Sequence, residues 1–325
     1  MTSRLILLAL MIAAALCAAA AQPCRAAELR TLVNTVRSLM DSPSGGGASL
    51  ADIQAFEKAI CDAYKVSSVD KLKGRVSIAL LTGTSLKDDL LYFEYGADRI
   101  KADSAASAIK TALLVYYAHM VETGDASPKE VVAGRSLGAH AERMIRYSDN
   151  ASANALLDRF GMDAINAWYE ELGFPAGELQ FRRHFSGNPS ADPNSPDNTA
   201  SAEALTLLYF LIAQQNDILG FLSAQGLHAV RLMLSNQKEN QQNHPNNEPQ
   251  FNDRLGKKFP SGVVFIHKTG SNTEVIADAG IAYNGKQTFI IVAFDTRLDK
   301  AAMQRLGLNL LKLMKKRPLR QAASR

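Results

Sequence analysis

The chain has 325 residues, 47% of them hydrophobic and 21% charged, with 21 Gly and 11 Pro. That composition excludes collagen-like, disordered and coiled-coil proteins, and the length allows one large domain or two ordinary ones around a real core. Lys and Arg total 36 against 32 Asp and Glu, a net +4, which is too mild for a nucleic-acid groove. There is no pair of CxxC motifs and no Cys/His-rich tract, so a structural zinc site is not expected.

Leu5 to Ala21 is a run of 17 apolar residues, its second half almost all alanine, with Arg4 just before it. A charged start, an apolar stretch short for a bilayer span and a small-residue end describe a secretory signal peptide over 1–26. Cleavage after Ala21 or after Ala26 fits the small-x-small pattern; the alternative is an uncleaved N-terminal anchor. An exported protein, periplasmic or secreted and without a stable membrane anchor after cleavage, is expected. Losing Arg4 and Arg25 with the leader lowers the net charge from +4 to +2. Cleavage after Ala26 leaves Cys61 alone, whereas cleavage after Ala21 leaves Cys24 and Cys61; no disulfide is expected.

Leu29, Leu32, Val33, Val36, Leu39 and Met40 recur at helical spacing, predicting an amphipathic helix over 28–40. Asp41 to Ser49 is a Gly-rich linker. Ser49-x-x-Asp52 looks like a helix cap, and Ile53, Phe56, Ile60 and Tyr64 then form one apolar face. Arg75–Leu81 and Leu90–Tyr95 are β-rich. A long helix is predicted from Ser107 to Val121, and 125–235 is mostly helical, interrupted by a loop at 186–198. The Asn- and Gln-rich stretch 235–262 reads as an exposed excursion. Val263 to Ile266 starts a strand, and Ile276–Tyr283 and Lys286–Asp295 flank Asn284-Gly285, a strong hairpin signal. A last helix runs from about Asp299 to Lys316, ended by Pro318. The order is helix, two strands, helical block, three strands, helix: a two-lobed α/β body with a cleft expected between the lobes.

Ser-x-x-Lys occurs at Ser68/Lys71, Ser107/Lys110 and Ser235/Lys238. Only Ser107 sits where a strand hands over to a long helix, where unpaired N–H groups and the helix dipole favour developing negative charge. Lys110 lies one turn on, on the same face. A serine needs an adjacent base to become a nucleophile, and lysine serves only if burial or a nearby positive charge strips its proton. The plainer reading is a helix cap beside a solvated lysine. Ser148-Asp149-Asn150 lies between two helical runs, where it either points into a cleft or merely caps a turn. Lys268-Thr269-Gly270 closes the strand from Val263; Gly270 permits close backbone approach, though an edge-strand lysine and turn glycine would look the same.

The three motifs in this order and these settings are the Ser-x-x-Lys, Ser-Asp-Asn, Lys-Thr-Gly set of penicillin-recognising serine enzymes. From about residue 50 to 316 the chain resembles class A β-lactamases and their relatives, including the strings YSDNASANALLDRFG and VVFIHKTG. The resemblance implies an α/β fold with a five-stranded antiparallel sheet flanked by terminal helices and an all-helical lobe inserted between strands 2 and 3. It implies a serine hydrolase domain over 50–318, between a 27–49 helix-and-linker and a 319–325 basic tail. Ser107 would be the acylated nucleophile, Lys110 its base and Ser148 the proton relay to the leaving nitrogen. Asn150 would bind the substrate amide and Lys110. Lys268 would attract the substrate carboxylate and depress the proton affinity of Lys110. Thr269 would add a hydrogen bond, and Ser271, after Gly270, would share the oxyanion hole with the Ser107 N–H. The implied ligand is a β-lactam or a peptidoglycan stem peptide, with neither nucleic acid nor membrane as partner; backbone donors do the polarising, so no metal or other cofactor is implied, and a monomer is expected.

Class A enzymes deacylate through a Glu in a Glu-x-x-x-Asn loop bounded by an Arg–Asp pair. Arg182, Asp197 and Asn188 suit the Arg, Asp and Asn, which places His184 where the Glu belongs. An imidazole titrating near pH 6.5 could activate water; equally, His184 could be a loop residue with no role. A one-residue slip would put Arg183 there, and neither Glu178 nor Glu203 has the right spacing. Ser148 follows Ser107 by only 41 positions, short for the family. Three functions follow: a β-lactam hydrolase, a D-alanyl-D-alanine peptidase that releases β-lactams slowly, or a non-catalytic envelope binding protein.

Overall fold

The computed structural model describes residues 27–40, 48–73, 75–83, 90–96, 103–186, 196–216, 218, 221–235 and 254–315. The leader, most of the Gly-rich linker, residues 236–253, Asn188 and the basic tail lie outside them. Five strands form one antiparallel sheet: β1 (Val76–Thr82), β2 (Tyr92–Tyr95), β3 (Val264–Ser271), β4 (Ile276–Tyr283) and β5 (Thr288–Asp295), in the order β2-β1-β5-β4-β3. The expected five-stranded antiparallel sheet and α/β class are what the chain adopts.

Nine helices are present among the described residues. Helix α1 covers 27–40. Then come α2 (Leu50–Tyr64), α3 (Lys110–Thr123), α4 (Leu137–Arg146), α5 (Asn150–Phe160), α6 (Met162–Glu171), α7 (Ala202–Ala213), α8 (Ala224–Ser235) and α9 (Lys300–Lys315). Helices α3 to α8 fall between β2 and β3, as expected.

The sheet is buried on both faces because its central strands carry apolar residues on both sides. Alternation sends Ile78, Leu80, Phe289, Ile291 and Ala293 toward α2 and α9, where they meet Phe56, Ile60, Leu306 and Leu310. The intervening Ala79, Leu81, Ile290 and Val292 face the helical lobe. On α2, Phe56, Ile60 and Tyr64 are buried and Ile53 partly so. Asp52 accepts from both the N–H and the hydroxyl of Ser49 at 2.8 and 2.7 Å, which fixes that helix start. Helix α1 buries Leu29, Val33, Val36 and Met40 in the core of the helical lobe.

The strand from Val264 takes in the Lys268-Thr269-Gly270 triplet, as expected, and pairs with β4 through Ser271, which faces Ile276. The lysine and glycine therefore sit inside β3, held by a full ladder. The helix expected from Ser107 begins instead as a 3₁₀ turn, Ala106–Ile109, and becomes α-helical only at Lys110. Ala106, just before the serine, has φ 44°, a left-handed conformation that costs a side chain-bearing residue about 1–2 kcal/mol.

Candidate active site

Ser107 lies in the 3₁₀ turn that opens α3, at the seam between the sheet and the helical lobe. A cleft there is lined by Ser107, Asn150, Phe185, Asp197, Ser271 and Asn272, among others. Gly270 on β3 fixes the distance between the two walls. A Cβ at that position would lie 2.7 Å from the Ser107 nitrogen and 2.6 Å from the Ala105 carbonyl. Only glycine lets the strand approach so closely, and the approach brings the Ser271 and Ser107 main chains to the same cleft.

Lys110 is fully buried. Its Nζ donates to the Ser148 carbonyl at 2.7 Å, the Asn150 Oδ1 at 2.6 Å and the Ser148 Oγ at 3.5 Å. Burial pulls its pKa from 10.5 to about 7, opposed by Asp149. A neutral amine has two N–H groups and one lone pair. The two pure acceptors take both N–H groups of the neutral amine, so the third contact, donated to Ser148 Oγ only by the protonated form, gives way to a lone pair that can accept a hydroxyl proton.

Ser148 joins α4 to α5 and has φ 55°. This conformation turns both its carbonyl and its hydroxyl onto lysines. Lys268 Nζ donates to Ser148 Oγ at 3.1 Å and to the Thr269 carbonyl at 2.8 Å. Lys268 is also fully buried, and its pKa is driven well below the usual lysine value. Burial is the main cause, followed by repulsion from Lys110 and from Arg254. The repulsion between the two amines is mutual and adds to burial, so each lysine disfavours a proton on the other. Arg254 is itself buried and donates to the Ala277 carbonyl at 2.9 Å. Below it, Asp278 accepts from the Leu255 N–H at 3.1 Å and lies 2.7 Å from His267 Nδ1.

Ser107, Lys110, Ser148, Asn150, Lys268, Gly270 and Ser271 are therefore brought to one place, with Thr269 buried behind them. His184 is not. Its ring is about half exposed and its Nε2 lies 2.7 Å from Asp158 on α5. The expected Arg182–Asp197 pair is also corrected: Arg183 holds the Asp197 carboxylate, with Nε at 3.0 Å and Nη2 at 2.7 Å from Oδ1. Arg182 reaches the Asp197 carbonyl and the Thr199 hydroxyl instead. Asn198 zips the loop's two ends, accepting from the Arg182 N–H at 2.8 Å and donating to the Arg183 carbonyl at 3.0 Å.

With Arg183 as the paired arginine, the loop residue turned toward Lys110 is Phe185. Its ring centre is 4.6 Å from Lys110 Nζ. Asn154, one turn after Asn150 on α5, grips its main chain, accepting from the Phe185 N–H at 2.7 Å and donating to its carbonyl at 3.1 Å. Sequence reasoning missed Phe185, Asn154 and Arg254; the one available signal was the four-residue spacing of Asn150 and Asn154. Across the cleft mouth, Asp197 also accepts from Ser104, and Asn272 donates to Ser104 Oγ at 3.1 Å. Among the described residues no group of three His, Cys, Asp or Glu is placed to hold a metal.

A two-lobed α/β body with a serine, two buried lysines and an inter-helix serine at its seam is the architecture of penicillin-recognising serine proteins. The chain belongs to the beta-lactamase enzyme family, whose sequence profile matches residues 85–313. Its fold is similar to that of the beta-lactamase from Sphaerobacter thermophilus, at 20% identity and a TM-score of 0.65, covering 82% of this chain and 98% of that one. It is also similar to PBP-A (17% identity, TM-score 0.62, 81% and 97% covered). The class A beta-lactamase of the last common ancestor of Gram-negative bacteria gives 18% identity and a TM-score of 0.64, with 80% and 99% covered. No curated protein matches the chain.

Proposed function

We propose that the protein is a serine hydrolase acylated on Ser107 by β-lactams, cleaving the cyclic amide bond. The observation that carries this reading is the meeting of both lysine amines on Ser148, at 3.5 Å from Lys110 and 3.1 Å from Lys268. Neutral Lys110 takes the Ser107 proton as Oγ attacks the carbonyl carbon. The Ser107 and Ser271 N–H groups receive the oxyanion, each such donor being worth about 3–4 kcal/mol. The C–N bond breaks, and Ser148 passes a proton to the leaving nitrogen. Lys268 faces the substrate carboxylate, whose charge draws a proton onto its amine. Asn150 orients the substrate's side-chain amide.

The leader read in the sequence supports export to the periplasm or beyond, and the protein is proposed to act as a monomer. N-terminal sequencing of the secreted protein should begin at residue 22 or 27. A second reading, a D-alanyl-D-alanine peptidase that releases β-lactams slowly, is favoured by Phe185 standing over Lys110. Incubation with benzylpenicillin, followed by intact mass, tests the shared step. A penicilloyl adduct absent from Ser107→Ala supports acylation, and repeated turnover of a chromogenic cephalosporin selects the hydrolase over the peptidase. With neither adduct nor turnover, only a non-catalytic binding protein remains.

A further inference from the structure

We propose that Phe185 sets the lifetime of the Ser107 acyl-enzyme by keeping hydrolytic water away from Lys110. The inference rests on the acylation reading above and deepens it. Deacylation requires a water oxygen to bond to the acyl carbon while the Ser107 Oγ–C bond breaks. One water proton must go to a base, and one must return to Oγ.

The described residues around the cleft offer few bases. Asp197 is taken by Arg183, Ser104 and the Asn198 N–H. His184 is turned out toward Asp158. Glu178 and Glu203 are buried against Arg37 at the root of the loop. The two buried amines remain: Lys268 is engaged with the Ser148 hydroxyl and the Thr269 carbonyl, and Lys110 is the one that Phe185 covers. A water between ring and amine needs about 2.9 Å to the nitrogen and about 3.5 Å to the ring carbons. The 4.6 Å from Nζ to the ring centre leaves no room for it. The covering is built in, because Asn154 fixes the Phe185 main chain through both its N–H and its carbonyl. The ring thus serves acylation, by drying the amine that must be neutral, and works against hydrolysis.

The test compares the full mature chain with Phe185→Ala and Phe185→Leu, using benzylpenicillin and time-resolved intact mass. Rates of adduct formation and loss are read separately; formation in each variant also reports a folded site. Phe185→Ala is expected to lose the adduct about a hundredfold faster or more, the scale of a gained general base, with formation changed far less. Phe185→Leu, which keeps an apolar cover, should stay near the parent. An unchanged lifetime in Phe185→Ala, or rapid adduct loss in the parent, overturns the inference while leaving acylation intact. If the parent forms no adduct and shows no turnover, the acylation reading falls, and this inference with it.

Discussion

At residue scale the chemistry depends on Lys110 being neutral when substrate arrives. Its pKa of about 7 makes the acylation rate climb as pH passes through 7 and level off above it, since only the neutral amine accepts the Ser107 proton. A profile of adduct formation against pH would show this, and a flat profile from pH 5 to 9 would remove Lys110 as the base. Gly270→Ala should cut acylation by about a hundredfold or more, the scale of one lost oxyanion donor, because its methyl collides with the Ser107 turn. The serine and lysine motifs were legible in the sequence because their spacings are fixed by local structure: one helical turn, one inter-helix turn, one strand. The loop register was not. Arg182 and Arg183 are adjacent, and which of them turns in to Asp197 is settled by Asn198 and the packing beneath the loop. That single-residue choice is why Phe185, rather than His184, faces the amine.

Among the elements, α1 has the least obvious role. Arg37 reaches from it to Glu203 at 3.0 Å and Glu178 at 3.9 Å, two buried carboxylates at the root of the loop. Ser201 also donates to Glu178 at 2.9 Å. One guanidinium faces two carboxylates, so burial and then Glu203 push the Glu178 pKa up to about 7, with Glu94 adding to the rise. The native state therefore holds this proton more tightly than the unfolded chain. From about pH 4.5 to pH 7 the pair makes stability fall as pH rises, and above 7 the loss is complete. Glu178→Gln keeps an acceptor for Ser201 and offers N–H groups to Glu203. It should melt a few degrees above the parent at pH 8 and converge with it near pH 4.5; equal melting temperatures at pH 8 would contradict this account. Helix α1 was readable from periodicity, and the sheet strands from their β-rich composition and the Asn284-Gly285 hairpin signal. The contact between Arg37 and this pair was not, since it joins residues 166 positions apart.

For the molecule as a whole, the cleft exists because loop, strand and lobe are buckled together at Asp197. Asp197→Asn keeps the shape but strips the charge facing Arg183. It should lower the melting temperature by a few degrees, at about 2–4 °C per kcal/mol for a domain of this size, and slow adduct formation; an unchanged thermal midpoint would mean the buckle holds nothing. The fold class was legible from element order alone, while the seam became visible only once Gly270 was seen against Ser107. Ser148, at φ 55°, shows what such a seam demands. Glycine there would relax the backbone and so outlast alanine on heating, yet either exchange removes the hydroxyl on which both amines converge. Heat resistance and chemical competence therefore pull position 148 in opposite directions, and a screen that rewards durability alone would drift toward a sturdy, inert protein.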